Sequence, residues 1–476
     1  MRGWSLKLRK NWLLVTLMMH QLCIAGSDAR AVTRSLEDYE ATKLMEEAVI
    51  YAYPLVLMEL TKELMTSADQ PARGRGPVNE FAHVRQLSDN SMTDIVSPNV
   101  DTLYSLAWLD LRQEPLILSV PDTNERYYLM PIMDAWTNVF ATIGKRTTGT
   151  KSGAYAIVGP GWAGELPLDV VAIQSPTSMV WIVGRTQCNG ASDIPVVNRI
   201  QDGFGLTKLS AWLAGVRPGP VEWPATLNAS VATPPVEQLA QMSSPAFLER
   251  LARAIRANPP SAADATIVRR LEPLGIVVGQ DFDPTTLDAR TWAAVEAGRV
   301  QALTTIDRAA LSTRSSNNNG WVISYLLGSY GSRYLERAVA ARMGLGASVA
   351  ADTFYPYTEV DVNGSALSGN HAYVVHFAPG ETPPVYAFWS LTLYDSSHFF
   401  AANRLSRYAL GGRDALAYNP DGSLDIFLAT ELPPGAPESN WLPSPKGNFN
   451  LILRAYWPAQ AILEGRWLPP PVRPIP

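Results

Sequence analysis

The spacing of apolar residues changes along the chain and divides it into segments of different secondary structure. Leu44, Ala48, Tyr51 and Leu55 recur at helical spacing and predict a long N-terminal helix, with a kink at Pro54. From about residue 97 to 185, short apolar and aromatic runs alternate with Pro, Gly, Asn and Asp. This second pattern is typical of a β-rich region.

The second half of the chain repeats this change of period. Helical spacing returns over residues 206–346, and short strands follow from Tyr355 onward. The Pro-rich end from Pro469 to Pro476 is expected to stay out of any sheet and to lie on the surface as polyproline II. We therefore predict a multidomain α+β fold in which two β-sandwich, jelly-roll-like regions combine with a helical N-terminus and a helical middle segment.

This fold class implies four segments. They are a signal peptide at 1–31, an N-terminal helix plus β-rich domain at 32–215, a mainly helical segment at 216–350, and a β-sandwich domain with a Pro-rich tail at 351–476.

The first segment has the layout of a secretory signal. It opens with four basic residues, Arg2, Lys7, Arg9 and Lys10. An apolar stretch from Trp12 to Ala25 follows, and Ala29-Arg30-Ala31 fits the small-x-small rule of signal peptidase. The apolar stretch is shorter than the roughly 20 residues that a membrane-spanning helix needs, which disfavours an uncleaved anchor. We predict a periplasmic or secreted protein, cleaved near Ala31, with no integral membrane segment in the mature chain.

The composition of the chain and the absence of common catalytic motifs exclude several classes of function. Charged residues make up 17% of the chain, the net charge is −5, and no Lys/Arg stripe exists to follow phosphates, so nucleic acid is not expected as a partner. The motifs G-x-S-x-G, H-E-x-x-H and C-x-x-C, the Walker loop and the dinucleotide fingerprint are all absent from the sequence. We predict no cofactor and assign no metal ligand, while a divalent metal and a homo-oligomer stay open.

Polar and aromatic side chains are concentrated in the apolar segments of the β-rich region. An amide, a carboxylate and a phenol come close together at Asn99, Asp101 and Tyr104, which either lock a turn through Asx bonding or form part of a ligand pocket. Lys145 and Arg146 stand in a Gly-bounded loop that either binds an anion or pairs with carboxylates. The other candidates of this region are Arg126, Asp134, Asn138 and Arg185.

The C-terminal half has its own candidates. Alternation along residues 388–394 places Ser390 and Tyr394 on one face of a strand and Trp389 on the other. The candidate residues of this half are His371, Trp389, Tyr394, Asn403 and Arg404. Aromatic rings beside Arg and Asn suit a carbohydrate or carboxylate ligand, and they equally suit a sandwich core whose loops are tied by arginines.

Several long runs carry a family resemblance. SPNVDTLYSLAWLDL and RYYLMPIMDAWTNVFATIGKRTTG resemble the domain of unknown function 1254, and VYAFWSLTLYD and NWLPSPKGNFNLILRAYWP resemble the domain of unknown function 1214. Together the two are typical of bacterial exported proteins. The resemblance implies β-sandwich domains with helical elements, usually behind a signal peptide. It implies no agreed activity or cofactor and supplies no catalytic residue.

Two functions from different classes follow. The first is an exported hydrolase or lyase for a small polar or aromatic metabolite, with Asp101, Asp134 or His371 as acid or base. Its anion-holding residues would be drawn from Arg126, Lys145, Arg146 and Arg185. The second is a non-catalytic protein that binds a small ligand, a carbohydrate or a carboxylate, on the rings of Trp389, Trp441 and Trp457.

The export prediction can be checked directly. We expect the full-length chain, expressed in a Gram-negative bacterium, to enter the periplasm and to begin near residue 32 by N-terminal sequencing. Leu14→Arg places a charge in the apolar stretch and should leave uncleaved protein in the cytoplasm. Uncleaved protein in the membrane fraction of the wild type would contradict the prediction.

Overall fold

A computed structural model describes residues 36–67, 74–91, 97–217, 233–312 and 318–475. The predicted signal peptide therefore lies outside the described residues. The N-terminal half contains α1 (Asp38–Met65), β1 (Ala82–His83), β2 (Thr102–Asp110), β3 (Leu116–Val120), β4 (Tyr128–Asp134), β5 (Val139–Gly144), β6 (Gly153–Val158), β7 (Val171–Gln174), β8 (Met179–Gln187), α2 (Ile194–Asp202), β9 (Gly205–Lys208) and α3 (Leu209–Leu213).

The rest of the chain is helical first and then β-rich. The middle contains α4 (Pro235–Gln241), α5 (Ser244–Ala257), α6 (Ala265–Arg270), α7 (Ala289–Ser312) and α8 (Tyr334–Gly344). The C-terminal part contains β10 (Thr353–Phe354), β11 (Tyr357–Thr358), β12 (Ala372–Phe377), β13 (Val385–Asp395), β14 (Ala409–Gly411), β15 (Leu424–Ala429), β16 (Trp441–Pro443), β17 (Phe449–Pro458), α9 (Gln460–Leu463) and β18 (Val472–Ile475).

Two sheets of the N-terminal half pack face to face, and we call them the N-terminal sandwich. One sheet has the order β1-β2-β8-β4-β5 and the other β7-β6-β3-β9. Leu109, Ile132 and Ile182 of the first sheet share a buried core with Leu118 and Ile157 of the second. These apolar residues recur with period two because alternate side chains of a strand point to the same face.

The helices cover the other face of the first sheet. Trp108 on β2 stacks on Trp181 on β8 with ring centroids 4.8 Å apart, and both rings belong to the core that α1, α5, α7 and α8 also form. Helix α1 is buried along most of its length and continues through Pro54. The N-terminal helix is confirmed, and it forms one layer with the helical middle segment.

A second pair of sheets forms the C-terminal sandwich. Their orders are β10-β17-β13-β14, with β11 also paired to β17, and β16-β15-β12-β18. Trp389, Leu391 and Leu453 of the first sheet pack against Val375 and Ile426 of the second. The predicted α+β class is confirmed. Helices long and apolar enough to cross a bilayer do not occur in the described ranges.

The expectation for the Pro-rich tail is wrong. Val472–Ile475 pairs antiparallel with β12, with Val375 opposite Val472 and Ala372 opposite Ile475. The strand is tolerated because it lies at the edge of the sheet, where the missing N–H of Pro474 interrupts no inner ladder.

The outer face of β13 and β17 is buried as well. Phe388, Ser390, Thr392 and Tyr394 alternate with the core residues of β13 and are at most 4% exposed, although they do not face the C-terminal core. They face the N-terminal half: Ser390 donates a hydrogen bond to Asp101, and Tyr394 donates one to the carbonyl of Pro98. The two sandwiches therefore meet across a surface that carries polar side chains.

The contact between α1 and α7 generates a stability prediction. A Cβ added at Gly298 of α7 would lie 2.3 Å from the carbonyl oxygen of Thr42 on α1. Gly298→Ala should therefore lower the free energy of unfolding by about 1–3 kcal/mol, measured by urea denaturation. Gly344, at the end of α8, is the control because its added Cβ meets nothing within 4 Å. Equal stabilisation by both changes would contradict the close helix contact.

Candidate functional site

A buried carboxylate joins the two sandwiches. Asp101 is 2% exposed and accepts three hydrogen bonds from the C-terminal part of the chain. Ser390 Oγ donates at 2.6 Å, Arg413 Nη2 at 2.5 Å and the Tyr456 hydroxyl at 3.3 Å. A carboxylate with several donors is a strong cross-link because charge-assisted hydrogen bonds are about twice as strong as neutral ones.

The turn before β2 holds Asp101 in place. Asn99 Oδ1 accepts hydrogen bonds from the backbone N–H groups of Asp101 and Thr102, each at 2.9 Å. This is the Asx bonding considered from the sequence. The Asn99 side-chain amide also donates to the Tyr104 hydroxyl at 2.7 Å, so the same residue positions a phenol.

Arg454 lies on the outer face of β17 and is 4% exposed. Its guanidinium donates to the Thr392 hydroxyl at 2.8 Å and to the carbonyl of Ser97 at 2.9 Å, and it lies 5.7 Å from the ring centroid of Tyr394. All of these partners are neutral. Among the described residues, no carboxylate lies within ion-pair distance of Arg454.

Arg185 lies on β8 directly opposite Tyr104 on β2 and is 7% exposed. It donates to the carbonyls of Val183 and Gly346 and to the Ser348 hydroxyl, at 3.1–3.2 Å. Gly346 has a φ of +88°, a left-handed conformation that glycine adopts without strain. Here too every hydrogen-bond partner that the described residues provide is neutral.

The two arginines belong to one group. The phenols of Tyr104 and Tyr456 act electrostatically on both guanidinium groups. Burial by itself lowers the pKa of each arginine, the nearby phenols raise it, and the carboxylate of Asp101 also raises the pKa of Arg454, so the net shift is upward for both. Both guanidinium groups are therefore charged. We call Asp101, Tyr104, Arg185, Arg454 and Tyr456 the inter-sandwich cluster.

Strained backbone borders this cluster. Ser97 has a φ of 51° although it precedes Pro98, a position that favours extended backbone. Its N–H donates to the carbonyl of His398, which itself has a φ of 65°, and its carbonyl accepts from Arg454. Trp457, next to Tyr456, has a φ of 52°. Such conformations cost about 1–3 kcal/mol each and are concentrated at functional sites.

Two family matches cover the parts of the chain that supply the cluster. Residues 78–208 match the family described as Protein of unknown function (DUF1254), and residues 352–460 match Protein of unknown function (DUF1214). These segments of 131 and 109 residues hold 240 of the 476 residues. The chain belongs to this two-domain family. Asp101, Tyr104 and Arg185 come from the DUF1254 segment, and Arg454 and Tyr456 come from the DUF1214 segment.

A solved structure from Vibrio parahaemolyticus shares the fold. The crystal structure of the VPA0106 protein from Vibrio parahaemolyticus is 25% identical, with a TM-score of 0.67 over 92% of this chain and 100% of that chain. An uncharacterized protein from Burkholderia cenocepacia is 12% identical, with a TM-score of 0.44 over 92% of this chain and 95% of that chain. No curated protein matches the chain. The function of this DUF1254–DUF1214 protein has to be argued from the chemistry of its site.

Several residues proposed from the sequence come together in or beside the inter-sandwich cluster. They are Asn99, Asp101, Tyr104, Arg185 and Tyr394. The last two approach from different halves of the chain: Arg185 lies 5.2 Å from the ring centroid of Tyr104, and the ring of Tyr394 lies beside Arg454.

The positively charged candidates of the N-terminal loops, Arg126, Lys145 and Arg146, are not part of the inter-sandwich cluster. Arg126 forms a two-point ion pair with Asp193 at 2.6 and 2.9 Å. Arg146 pairs with the buried Asp352 at 2.6 Å, and Lys145 donates to the carbonyl of Glu125. These side chains therefore hold loops together.

Candidates of the C-terminal half lie outside the cluster as well. Trp389 is 4% exposed and belongs to the sandwich core, so its ring faces no solvent. Asn403 hydrogen-bonds within its own loop, and Arg404 pairs with Glu438. His371 is exposed and lies directly before β12, which belongs to the other sheet of the C-terminal sandwich, and its ring contacts Tyr373.

Asp134 and Asn138 form a separate turn at the end of β4. The carboxylate accepts hydrogen bonds from the backbone N–H groups of Trp136 and Asn138 and from the Asn138 side chain. The turn faces the helical layer, where Arg337 on α8 lies 5.3 Å from the Trp136 ring centroid. Burial raises the pKa of Asp134 to about 6, against hydrogen bonds that lower it.

Ser390, Arg413, Arg454 and Tyr456 complete the site and were missed as candidates in the sequence. A signal for two of them exists, since period two along the apolar run 449–456 places Arg454 and Tyr456 on the same face. Arg413 follows Gly411 and Gly412 in a turn and carries no such signal.

The surface also has a groove, which lies outside the inter-sandwich cluster. A surface groove of about 490 Å³ is lined in part by Arg126 and by Asn189, whose side chain accepts a hydrogen bond from Arg413. Because Arg126 is already paired, we place the site at the cluster and not in the groove. Groups of three His, Cys, Asp or Glu side chains able to hold a metal do not occur in the described part of the chain.

Asp134 generates a pH prediction. Its folded pKa, about 6, lies above its ordinary value of 3.8. As pH rises between these values, the unfolded chain ionises first, and stability is lost by up to about 3 kcal/mol. Asp134→Asn keeps an acceptor for the turn and does not titrate.

We therefore expect the free energy of unfolding of Asp134→Asn, minus that of the wild type, to increase as pH rises from 4 to 7. Urea denaturation at each pH measures this difference. Asp122→Asn is the control, because the backbone N–H of Asn124 and the Lys151 side chain lower the pKa of that exposed carboxylate. A pH-independent difference for Asp134→Asn would show that its carboxylate is not perturbed in this way.

Proposed function

We propose that this protein binds a small anionic ligand, of the carboxylate class, at the inter-sandwich cluster. The observation that supports the proposal is the burial of Arg185 and Arg454 with only neutral hydrogen-bond partners among the described residues. An isolated buried charge is costly unless it is paired. A ligand that brings the missing negative charge removes this cost.

Asp101 supplies the one carboxylate of the cluster, and it forms no ion pair with Arg185 or Arg454 among the described residues. Asp101 is the ion-pair partner of Arg413, at 2.5 Å, and its oxygens also accept from Ser390 and Tyr456. Asp101 acts on Arg454 only at longer range, so neither Arg185 nor Arg454 has a carboxylate at ion-pair distance among the described residues.

The residue types around the charge favour a carboxylate on a small organic molecule. A guanidinium binds a carboxylate through two parallel N–H···O bonds, and the phenols of Tyr104 and Tyr456 add hydroxyl groups and ring faces. Tyr104 is half-buried, whereas the other members of the cluster are buried, so it is the most exposed residue of the cluster. Of the two ligand classes considered from the sequence, these residues favour a carboxylate over a carbohydrate. The proposed binding residues are those of the cluster and do not include Trp389, whose ring lies in the sandwich core.

Turnover of the ligand is the second candidate. Asp101 lies between two hydroxyl groups, Ser390 at 2.6 Å and Tyr456 at 3.3 Å, inside the same cluster. Such a carboxylate can take up or release a proton next to a bound molecule, as a hydrolase or lyase requires. On the basis of the predicted signal peptide, we propose that either function is exercised in the periplasm or outside the cell.

Binding can be tested with acetate, benzoate, succinate and phthalate by calorimetry on the mature chain. We expect at least one of them to bind, and Arg454→Met to weaken it by about tenfold or more, since a charge-assisted hydrogen bond contributes about 1.5–3 kcal/mol. Without ligand, the thermal midpoint of Arg454→Met should stay close to that of the wild type, because the change removes an uncompensated charge.

Arg126→Met is the matched control. It leaves the largely buried Asp193 unpaired and should cost about 3 kcal/mol of stability, while carboxylate affinity stays unchanged. The opposite pattern, with Arg454→Met unfolded and no carboxylate bound by the wild type, would refute the binding function. Conversion of a bound carboxylate by the wild type and not by Asp101→Asn, followed by mass spectrometry, would establish the enzyme.

A further inference from the structure

We propose that the ligand carries two anionic groups, one held by Arg185 and the other by Arg454, so that it bridges the N-terminal and C-terminal sandwiches. This inference rests on the proposed function and specifies its ligand as a dicarboxylate.

The first observation is that the two guanidinium groups are anchored on different sandwiches. Arg185 is fixed on β8 by the carbonyls of Val183 and Gly346. Arg454 is fixed on β17 by the Thr392 hydroxyl, and it reaches across to the carbonyl of Ser97. Arg185 is therefore carried by the N-terminal sandwich and Arg454 by the C-terminal sandwich, so the two charges belong to different halves of the chain.

The second observation is that short contacts connect the two anchors. Arg454 contacts Ser97, Asn99 two residues later donates to the Tyr104 hydroxyl, and the Tyr104 ring lies 5.2 Å from Arg185. Arg454 thus contacts the first residue of the segment 97–104, and Arg185 contacts the last residue, the half-buried Tyr104.

The third observation is that both guanidinium groups keep free donors. An arginine has five N–H groups. The hydrogen bonds given above engage two of them in Arg454 and three in Arg185, and the phenols of Tyr394 and Tyr104 each add one side-chain interaction. Each arginine can therefore donate to a carboxylate without giving up the bonds that hold it in place, and two carboxylates balance the two unpaired charges.

The test begins with the wild-type mature chain and is then repeated on three variants. Malonate, succinate, glutarate and adipate are titrated calorimetrically, each beside its monoamide, which keeps the shape and removes one charge. We expect one chain length to be preferred, and that dicarboxylate to bind about tenfold or more tightly than its monoamide. In Arg185→Met and in Arg454→Met the ratio should fall towards one, and in Arg126→Met it should be unchanged.

The outcomes separate this inference from the proposed function. Equal binding of dicarboxylate and monoamide, with loss in both arginine variants, overturns the two-anion ligand and leaves carboxylate binding intact. Inorganic phosphate binding more tightly than every dicarboxylate, with no dependence on chain length, overturns it as well. No binding of any probe overturns both.

Discussion

The hydrogen bonds of the Asp101 carboxylate are the interaction on which the arrangement of the two sandwiches depends. Asp101 belongs to the N-terminal sandwich, and its three side-chain donors Ser390, Arg413 and Tyr456 belong to the C-terminal part. A buried carboxylate is tolerated only when its oxygens are satisfied, so the charge demands that both halves be present and in register. The outer face of β13 and β17 is polar for this reason: it carries the Ser390 and Tyr456 hydroxyl groups that donate to Asp101. A sheet that packed against an apolar surface would carry apolar side chains on that face.

The helical layer also contributes to the inter-sandwich cluster, because it covers the N-terminal sheet and helps to position Arg185. Helix α1 and helix α7 approach closely at Gly298, and together with α5 and α8 they cover the face of the N-terminal sheet that carries Trp108 and Trp181. The segment after α8 then delivers Gly346 and Ser348 to Arg185. The layer thus buries the N-terminal strands and also sets the position of one arginine.

Several features of the inter-sandwich cluster lower the stability of the folded state. Two arginines are buried without a carboxylate partner among the described residues, and strained backbone at Ser97 and Trp457 adds to the cost. A fold that needed these groups only for packing would be more stable with apolar side chains of similar size. The anionic ligand that we propose would account for their presence, because it would supply the negative charge that these arginines lack.

The sequence by itself determined the local structure of this protein. Period two along β13 separated Trp389 from Ser390 and Tyr394, helical spacing located α1, and long motifs identified the two-domain family, because these signals reside in neighbouring residues. Only the tertiary structure decided which side chains meet. Asp101 and Ser390 are 289 residues apart, and Arg454 and Ser97 are 357 apart, while Arg126 and Arg146 are taken up by Asp193 and Asp352. The partner of a charge is set by which sheets pack together, and that depends on the burial of apolar surface over the whole chain. The same reason explains the C-terminal tail, whose prolines predicted a free segment and whose position at a sheet edge allowed it to pair.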